Sequence, residues 1–486
     1  MKSIFYFLTI ACLLTTTSCQ KDFIEISPKS EGTSELRYKT DKDFSDATIG
    51  VYREFQDVYD FWWQFGDVPG EDVIQAALRL PELVRIDDFS LDVNNDILLS
   101  AWLENYQVIS NANKLLAEVE DADVSVIVNK ERYIGEAKFL RALAYFNLVR
   151  IFGDVPMVTG PLTTEQALET PRTSVDVVYT DLIIQDLLDA ETKLPETYAA
   201  DNVGRATKGA AKSLLGKVYL TIGDFVQAES KLMEVTNMGY SLLDTFEDLF
   251  DFDNEHHSEY IFDIEYIDGN IGLGSPFTRL FTVETQDVGP FKESLYQTFG
   301  IEGTEGGGRG TPNLDFIDLF EPGDLRQYRT ATTGIFDNEG NWIPIPENAA
   351  LHAISLKYIT PVGSGGSKTN WRVIRYADVL LMLAEAMNEN NKTPEALTYL
   401  NQVRTRAGLD GYTGLAQSET REKIALERRF ELFLEGQRWF DLVRTGRALE
   451  VLAPLGIQSH QTIFPIPQTQ IEVVNDPSIL DQNPGY

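Results

Sequence analysis

Two adjacent histidines, His256 and His257, lie among acidic residues and raise the question of a metal site. A calcium-binding loop that starts at Asp251 needs glycine at its sixth position and glutamate at its twelfth, where this chain has His256 and Phe262. A zinc site of the paired-histidine type needs three residues between its histidines, and that spacing is missing. The spacing argues against a bound metal, and we predict no cofactor.

The motifs typical of catalysis are also missing from the sequence. The glycine-rich stretch 303–310 lacks the Lys-Ser/Thr pair of a phosphate-binding loop, and no Gly-x-Ser-x-Gly elbow is present. Among 75 acidic residues a glycosidase-like carboxylate pair could be chosen anywhere, so such a pair has no evidential weight. We predict that the protein is not an enzyme.

Charge is dense in two neighbouring segments, Glu427–Leu432 and Glu435–Leu442. Three opposite-charge pairs fall there at the three-residue spacing at which side chains meet on a helix. They are Arg428–Glu431, Arg438–Asp441 and Asp441–Arg444. An anion site is one interpretation; we favour a structural ion-pair network.

The N-terminal segment ends in Cys19 and has the pattern of a secretory signal. After a positive start, an apolar run over Ile4–Leu14 is followed by small residues and the cysteine. This run is shorter than the about 20 apolar residues that cross a bilayer. Cys12 would leave an even shorter apolar core, whereas Cys19 fits a bacterial lipoprotein cleavage site; an ordinary signal with an incidental cysteine is the alternative. We predict a signal peptide over residues 1–18, a lipidated Cys19 and a tether over residues 19–38.

The composition limits which partners the protein can bind and which cysteine chemistry it can perform. The formal net charge of −34 over 486 residues should repel nucleic-acid phosphates and anionic lipid headgroups, so we predict no nucleic-acid partner. A neutral ligand stays compatible, and the acidity alternatively serves solubility alone. Removal of residues 1–18 would leave Cys19 as the one cysteine, which excludes a disulfide framework, a cysteine metal site and thiol catalysis.

Apolar residues at spacings of three and four predict that helices dominate the chain. The predicted helices cover Asp41–Tyr59, Trp102–Val119, Glu136–Phe152, Val175–Leu188 and a tail from Glu419 to Leu452.

Two further regions are typical of helix hairpins. Lys208–Ile222 is followed by Phe225–Met238, and Tyr376–Met387 by Thr393–Ala407. The second helices align Ala228, Leu232 and Val235 with Ala396, Leu400 and Val403. Small and large apolar residues at this spacing let paired helices approach closely, as in tetratricopeptide-like hairpins, although a generic hairpin gives much the same pattern.

Residues 240–372 differ from the helical blocks. They hold most of the long Gly/Pro interruptions, and short runs such as Tyr260–Ile264 predict small strands. We predict a loop-rich insertion on a helical scaffold. Such loops are where binding usually takes place.

Several of these segments, in this order, resemble motifs of the SusD/RagB family of surface lipoproteins. They run from about residue 40 to the C-terminus and comprise Phe139–Arg150 with Phe152–Pro156, Arg205–Ala211, Arg375–Leu381, Asn401–Arg404, Glu435–Asp441 and Asp481–Tyr486.

The resemblance implies a mainly α fold: a scaffold of tetratricopeptide-like helix hairpins with a loop-rich ligand face, acting as one unit over residues 39–486. It implies a non-enzymatic nutrient-binding lipoprotein of an outer membrane, facing the cell exterior. It also implies a partner, a TonB-dependent SusC-like transporter that takes up oligosaccharide or polysaccharide. Peptide uptake is the alternative, and a scaffold subunit that binds no nutrient is the third interpretation.

Glycan sites need exposed aromatic rings and planar hydrogen-bonding groups. Trp102, Trp371 and Trp439 lie in or beside helical motifs, where packing is expected. The family's site draws on the loops before the Trp102 helix and on the insertion. The ligand-binding candidates are therefore Trp62, Trp63, Asp67, Arg79, Arg85, Asn94 and Asn95 in the first segment, and Tyr328 and Trp342 in the second. Trp342 is the leading candidate because a proline-flanked loop holds a stacking ring at low entropic cost.

Overall fold

The computed structural model describes residues 38–74, 80–269, 272–283, 289–301, 303–304, 306–349, 351–363 and 366–486. The predicted signal peptide 1–18, Cys19, the tether up to residue 37 and the candidate Arg79 lie outside the described residues. None of the described helices is both long and apolar enough to cross a membrane.

The first half of the chain is mainly helical, with three strands of two residues each between its helices. Its elements are α1 (Asp41–Asp60), α2 (Trp63–Gly66), β1 (Val73–Ile74), α3 (Pro81–Asp87), α4 (Asp96–Glu120), α5 (Lys130–Phe152), β2 (Val155–Pro156), α6 (Thr164–Leu168), β3 (Arg172–Thr173), α7 (Val175–Val178), a π-helical turn (Tyr179–Ile183), α8 (Ile184–Lys193), a 3-10 turn (Ala200–Asn202), α9 (Lys208–Thr221) and α10 (Phe225–Val235).

The middle of the chain, which falls in the predicted insertion, has short elements. They are a 3-10 turn (Glu247–Phe250), β4 (Tyr260–Ile264), α11 (Phe277–Phe281), α12 (Gly289–Phe299), β5 (Thr311–Pro312), α13 (Leu314–Ile317), α14 (Gln327–Thr330), β6 (Gly334–Phe336), β7 (Trp342–Pro344) and β8 (Trp371–Arg375). The strand pairs β1–β5, β4–β8 and β6–β7 are antiparallel. The strand predicted over Tyr260–Ile264 is confirmed as β4.

The last part returns to helices. They are α15 (Tyr376–Glu389), α16 (Thr393–Arg406), α17 (Gln417–Leu432), α18 (Arg438–Arg444), α19 (Ala448–Val451), two 3-10 turns (Ala453–Leu455 and Ser459–Thr462) and α20 (Gln468–Val474).

The long helices pack in chain order and form the predicted mainly α scaffold. Contacts run from α4 to α5, from α5 to α8, and on to α9 and α10. Helix α10 then packs on α15, and α15 packs on α16 and α17. Local chemistry sets the helix ends: Thr40 and Asp43 form a capping box at the start of α1, and α5 stops at Gly153, which has a φ of +72°.

Both predicted hairpins are confirmed. The aligned residues Ala228, Leu232, Val235, Ala396, Leu400 and Val403 are all fully buried. A Cβ atom placed on Gly216 of α9 would lie 2.6 Å from the Leu232 side chain on α10. The small residue therefore sets how closely these two helices approach.

The tail predicted to return to helix over Glu419–Leu452 is mainly helical, but it is divided among α17, α18 and α19. Helix α17 ends at Leu432, and in the break that follows Leu434 and Gly436 take positive φ angles of 59° and 71°. The break brings the Gly436 backbone against α2, where a Cβ atom on Gly66 would lie 2.3 Å from the Gly436 carbonyl carbon. Glycine at both positions permits this contact.

A buried ion-pair hub joins the insertion to β8, α16 and α17. Its members are Arg326, Lys357, Arg375, Arg404, Arg406, Glu259, Asp324, Glu427, Glu431 and Glu435. At its centre Arg375 donates to Glu435 at 2.8 Å and to Glu259 at 2.9 Å. Burial alone would raise the pKa of Glu435, but Arg375 and Lys357 hold that pKa below its usual range.

The preferred interpretation of the charge-dense segments, an ion-pair network, is confirmed, although its pairs are mostly long-range. Of the three predicted local pairs, Asp441–Arg444 forms at 2.8 Å. Arg428 pairs instead with Asp378, and Arg438 with Glu71. The Arg428–Asp378 and Arg438–Glu71 pairs tie the C-terminal helices to distant parts of the chain.

Candidate functional site

An exposed aromatic cluster lies on the hairpin formed by β6 and β7. The register pairs Phe336 with Trp342 and Ile335 with Ile343. Because neighbouring side chains on a strand point to opposite faces, the buried Ile335 faces inward while Phe336 and Trp342 face outward. Phe336 is 49% exposed and Trp342 is 43% exposed.

The rings of Tyr328, Phe336 and Trp342 form what we call the aromatic platform. The Phe336 and Trp342 rings meet edge to face with their centroids 5.0 Å apart, and the Tyr328 and Phe336 centroids are 5.6 Å apart. The Tyr328 hydroxyl accepts a hydrogen bond from the Phe336 amide at 3.1 Å. A Cβ atom on Gly334 would lie 2.5 Å from the Trp342 ring, so glycine there lets the indole lie flat across the strand.

A rigid turn over residues 337–341 holds the two strands of the hairpin. Asp337 Oδ1 accepts hydrogen bonds from the amides of Asn341, at 2.8 Å, and Glu339, at 2.9 Å. These bonds from Asn341 and Glu339 lower the pKa of Asp337. Gly340 has a φ of +83°, a conformation that favours glycine. Asn338 and Asn341 of this turn are exposed, and the Asn341 side-chain amide also donates to Asp337 Oδ2 at 3.1 Å.

The structure separates this platform from the candidates in the first segment. Trp62 and Trp63 were expected to present exposed rings, and that expectation is wrong because both rings are buried. The Trp62 ring stacks on Phe440 at 5.1 Å, and the Trp63 ring meets Phe281 edge to face at 5.4 Å. Helix α2, which starts at Trp63, packs against α18, so both rings belong to the hydrophobic core.

Asp67 and Asn95 are also buried, contrary to what a surface site would need. Asp67 accepts a hydrogen bond from the Gly436 amide at 2.8 Å, and burial raises its pKa well above the usual value. Asn95 caps α4 by accepting from the Ile97 amide at 2.9 Å. Both residues hold backbone in place.

Arg85 and Asn94 reach the surface but are engaged locally. The Arg85 guanidinium lies 2.6 Å from the Asp92 carboxylate. Asn94 is exposed and donates through its backbone and side chain to the same Asp92. Among the described candidates, Tyr328 and Trp342 belong to the aromatic platform, where Phe336 joins them.

The two histidines do not share a ligand set. His256 lies 3.0 Å from Glu265, and this hydrogen bond raises the pKa of His256. Burial lowers the pKa of His257 to about 4. Among the described residues no group of three or more His, Cys, Asp or Glu side chains is placed to hold a metal ion.

Phe336 is a platform residue that was not predicted from the sequence. The sequence feature that indicates its position is the run Gly334-Ile335-Phe336. The turn-forming residues 337–341 separate this run from Trp342-Ile343-Pro344. Two short apolar runs around a glycine-containing turn are typical of a β-hairpin, and pairing them would have placed Phe336 beside Trp342. The predicted packing roles of Trp102, Trp371 and Trp439 are confirmed, since all three are buried.

The platform can bind a ligand with a flat apolar face. Trp342 is the one exposed ring among the six tryptophans, all of which are described. Exposed aromatic rings offer large contact area at low entropic cost, and the nearby amides can donate to and accept from hydroxyl groups.

Comparison with known proteins agrees with this architecture. The model of the SusD family matches residues 351–456, and the family described as "Starch-binding associating with outer membrane" matches residues 77–220. SusD-like protein P25 and SusD-like protein P2 of Formosa agariphila are each 27% identical, covering 99% and 98% of this chain and 98% of each relative. The solved structure of a laminarin binding SusD-like protein is 28% identical with a TM-score of 0.78, covering 92% of this chain and 100% of that chain. With its fold and nearly its whole length matched in this way, the chain belongs to the SusD family.

Proposed function

We propose that this protein captures a neutral polysaccharide on the aromatic platform and does not turn it over. The observation that carries this proposal is the exposed Phe336–Trp342 pair on a rigid hairpin. A sugar ring can lay its apolar C–H face on such rings, while Asn338 and Asn341 reach its hydroxyl groups. The 28% identical structural relative is described as laminarin binding, which supports a glucan as the first ligand to test.

The charge of the chain favours a neutral glycan over a sulfated or uronic one. The net charge of −34 repels anionic polymers at low ionic strength. The platform hairpin itself carries two of these carboxylates, Asp337 and the exposed Glu339. Binding of neutral glucans should therefore depend little on salt.

We also propose a cellular location and a partner for the protein. A lipid on Cys19 would tether the domain to the outer membrane, facing the exterior, and a TonB-dependent SusC-like transporter would receive the glycan. The family description that matches residues 77–220 names an association with the outer membrane and supports this location. The acyl chains of a lipoprotein suffice for stable anchoring.

Calorimetric titration with laminarin, a second neutral glucan and a peptide mixture tests the ligand class. Trp342→Ala should weaken glucan binding about 30-fold, on the order of 2 kcal/mol, because central aromatic anchors of interfaces cost at least that much when truncated. Phe61→Ala is the matched control, since Phe61 is an exposed ring at the end of α1 and should leave binding unchanged.

Other outcomes would reject the proposal. Binding of peptides but of neither glucan would favour peptide uptake. Equal glucan binding by wild type and Trp342→Ala would place the site elsewhere. Release of shorter sugars by the pure protein would show an enzyme. In cells, Trp342→Ala should reduce glycan uptake while the protein still co-purifies with its transporter.

A further inference from the structure

An apolar groove of about 370 Å³ lies between α4, the segment that follows β2, and α20. Its walls include Leu103 and Tyr106 of α4, Leu162 and Leu168 around α6, and Val473 and Val474 of α20. None of the groove-lining residues is a lysine, arginine, aspartate or glutamate. This groove shares no residue with the aromatic platform.

Three aliphatic side chains of the groove lie open to solvent from three separate elements. Leu103 is 48% exposed, Leu162 is 42% exposed and Val473 is 58% exposed. Single exposed aliphatic residues are common, but a concave set that converges from different elements marks an interaction site. The platform function gives these side chains no role.

The residues beside the groove are acidic. Glu165 and Glu169 neighbour the lining residues of α6, and Glu472 and Asp476 lie in and after α20. None of these four carboxylates forms an ion pair with a described lysine or arginine. The nearby Arg172 is already paired with Asp481 at 2.9 Å. The exposed Lys114, one turn after the lining residue Ser110 on α4, offsets one of these four carboxylates, so the surroundings carry net negative charge.

We propose that this groove docks an amphipathic helix of a partner polypeptide, whose apolar residues are flanked by lysine or arginine. Aliphatic side chains spaced three and four apart would fill the neutral groove, and their basic neighbours would meet the carboxylates at its edge. A second copy of this acidic chain fits poorly, because it would bring like charges together. Anionic lipid is disfavoured for the same reason.

The test uses the mature protein and a fluorescent 14-residue peptide of leucine and lysine in an amphipathic helical pattern. Fluorescence anisotropy should show saturable binding that weakens with salt. Leu103→Asn combined with Val473→Asn should weaken it at least tenfold without changing the charge of the protein. Val226→Asn is the matched control, because Val226 is an exposed valine on α10, outside the groove, and should not change binding.

A second pair of variants tests the charge argument. Glu165→Gln combined with Glu472→Gln should weaken binding and reduce its salt dependence, while laminarin binding and thermal stability stay at wild-type values. A scrambled peptide of the same composition should bind at least tenfold more weakly than the amphipathic one.

Three results would overturn the proposal. The first is equal binding of the peptide to wild type and to the Leu103/Val473 double variant, which would indicate non-specific attraction to an acidic surface. The second is no binding to wild type. The third is a wild-type dimer in sedimentation that the double variant abolishes, which would assign the groove to a second copy.

Discussion

Removing Arg375 should destabilise the whole domain, because this one side chain satisfies three buried carboxylates. Its guanidinium pairs with Glu259, Glu431 and Glu435 and also donates to the Glu431 carbonyl at 2.7 Å. Arg375 and its three carboxylate partners are buried. Arg375→Met keeps much of the volume and removes the charge and the donors.

The magnitude follows from the charge balance of the ion-pair hub. The hub holds five cationic and five anionic side chains, so the variant leaves one uncompensated carboxylate in the interior. Breaking a buried pair by removing one partner typically costs about 3–5 kcal/mol. Lys357 and Arg406 remain beside these carboxylates and should keep the cost within that range.

Urea unfolding at pH 7, followed by tryptophan fluorescence, measures the effect. With an m-value of about 3 kcal/mol per molar, the midpoint should fall by about 1–1.7 M. Lys42→Met is the control: Lys42 and Asp46 form an exposed pair on α1, and such pairs contribute little. A midpoint for Arg375→Met within 0.3 M (roughly 1 kcal/mol) of the wild type would refute the reasoning.

Two further predictions concern backbone contact and pH. Gly66→Ala should destabilise the protein by about 1–3 kcal/mol, because its methyl group would overlap the Gly436 backbone. Gly50→Ala, in the same region but with open space around its Cβ position, should instead stabilise α1 by about 0.5–1 kcal/mol; similar melting temperatures for the two variants would contradict this. Burial raises the pKa of Asp60 to about 7 despite the hydrogen bond from Tyr266, so the folded state binds its proton more tightly and loses stability as pH rises from 4 to 7. Asp60→Asn should therefore melt higher than the wild type at pH 8 and not at pH 4, and a pH-independent difference would count against the shifted pKa.

The helical scaffold could be predicted because its signals are local. The spacing of Ala228, Leu232 and Val235 requires only that one helix face is buried, and the second hairpin repeats the requirement. Capping residues and stop signals such as Gly153 then fixed several ends to within a few residues. Neither inference needs knowledge of the partner helix.

The misplaced elements depend on distant contacts. Nothing near Gly436 in sequence shows that Gly66 packs on it, yet this contact lies at the break between α17 and α18. Likewise, Trp62 lies at a helix end, where exposure is a reasonable expectation. Its burial comes from Phe440, more than 370 residues away in the sequence. Tertiary packing overrides the local pattern in both cases.

In the candidate site too, features set by local sequence could be predicted, whereas contacts between distant residues could not. Trp342 could be chosen from its proline-flanked loop, whereas its partner Phe336 becomes evident only when residues 337–341 are treated as a turn. Tyr328 precedes the hairpin, and its contact with Phe336 depends on how α14 packs. A change in the length or sequence of this one turn would alter the distances between the platform rings, while the helical scaffold below stays the same. The hairpin is therefore where ligand preference would vary between proteins that share this fold.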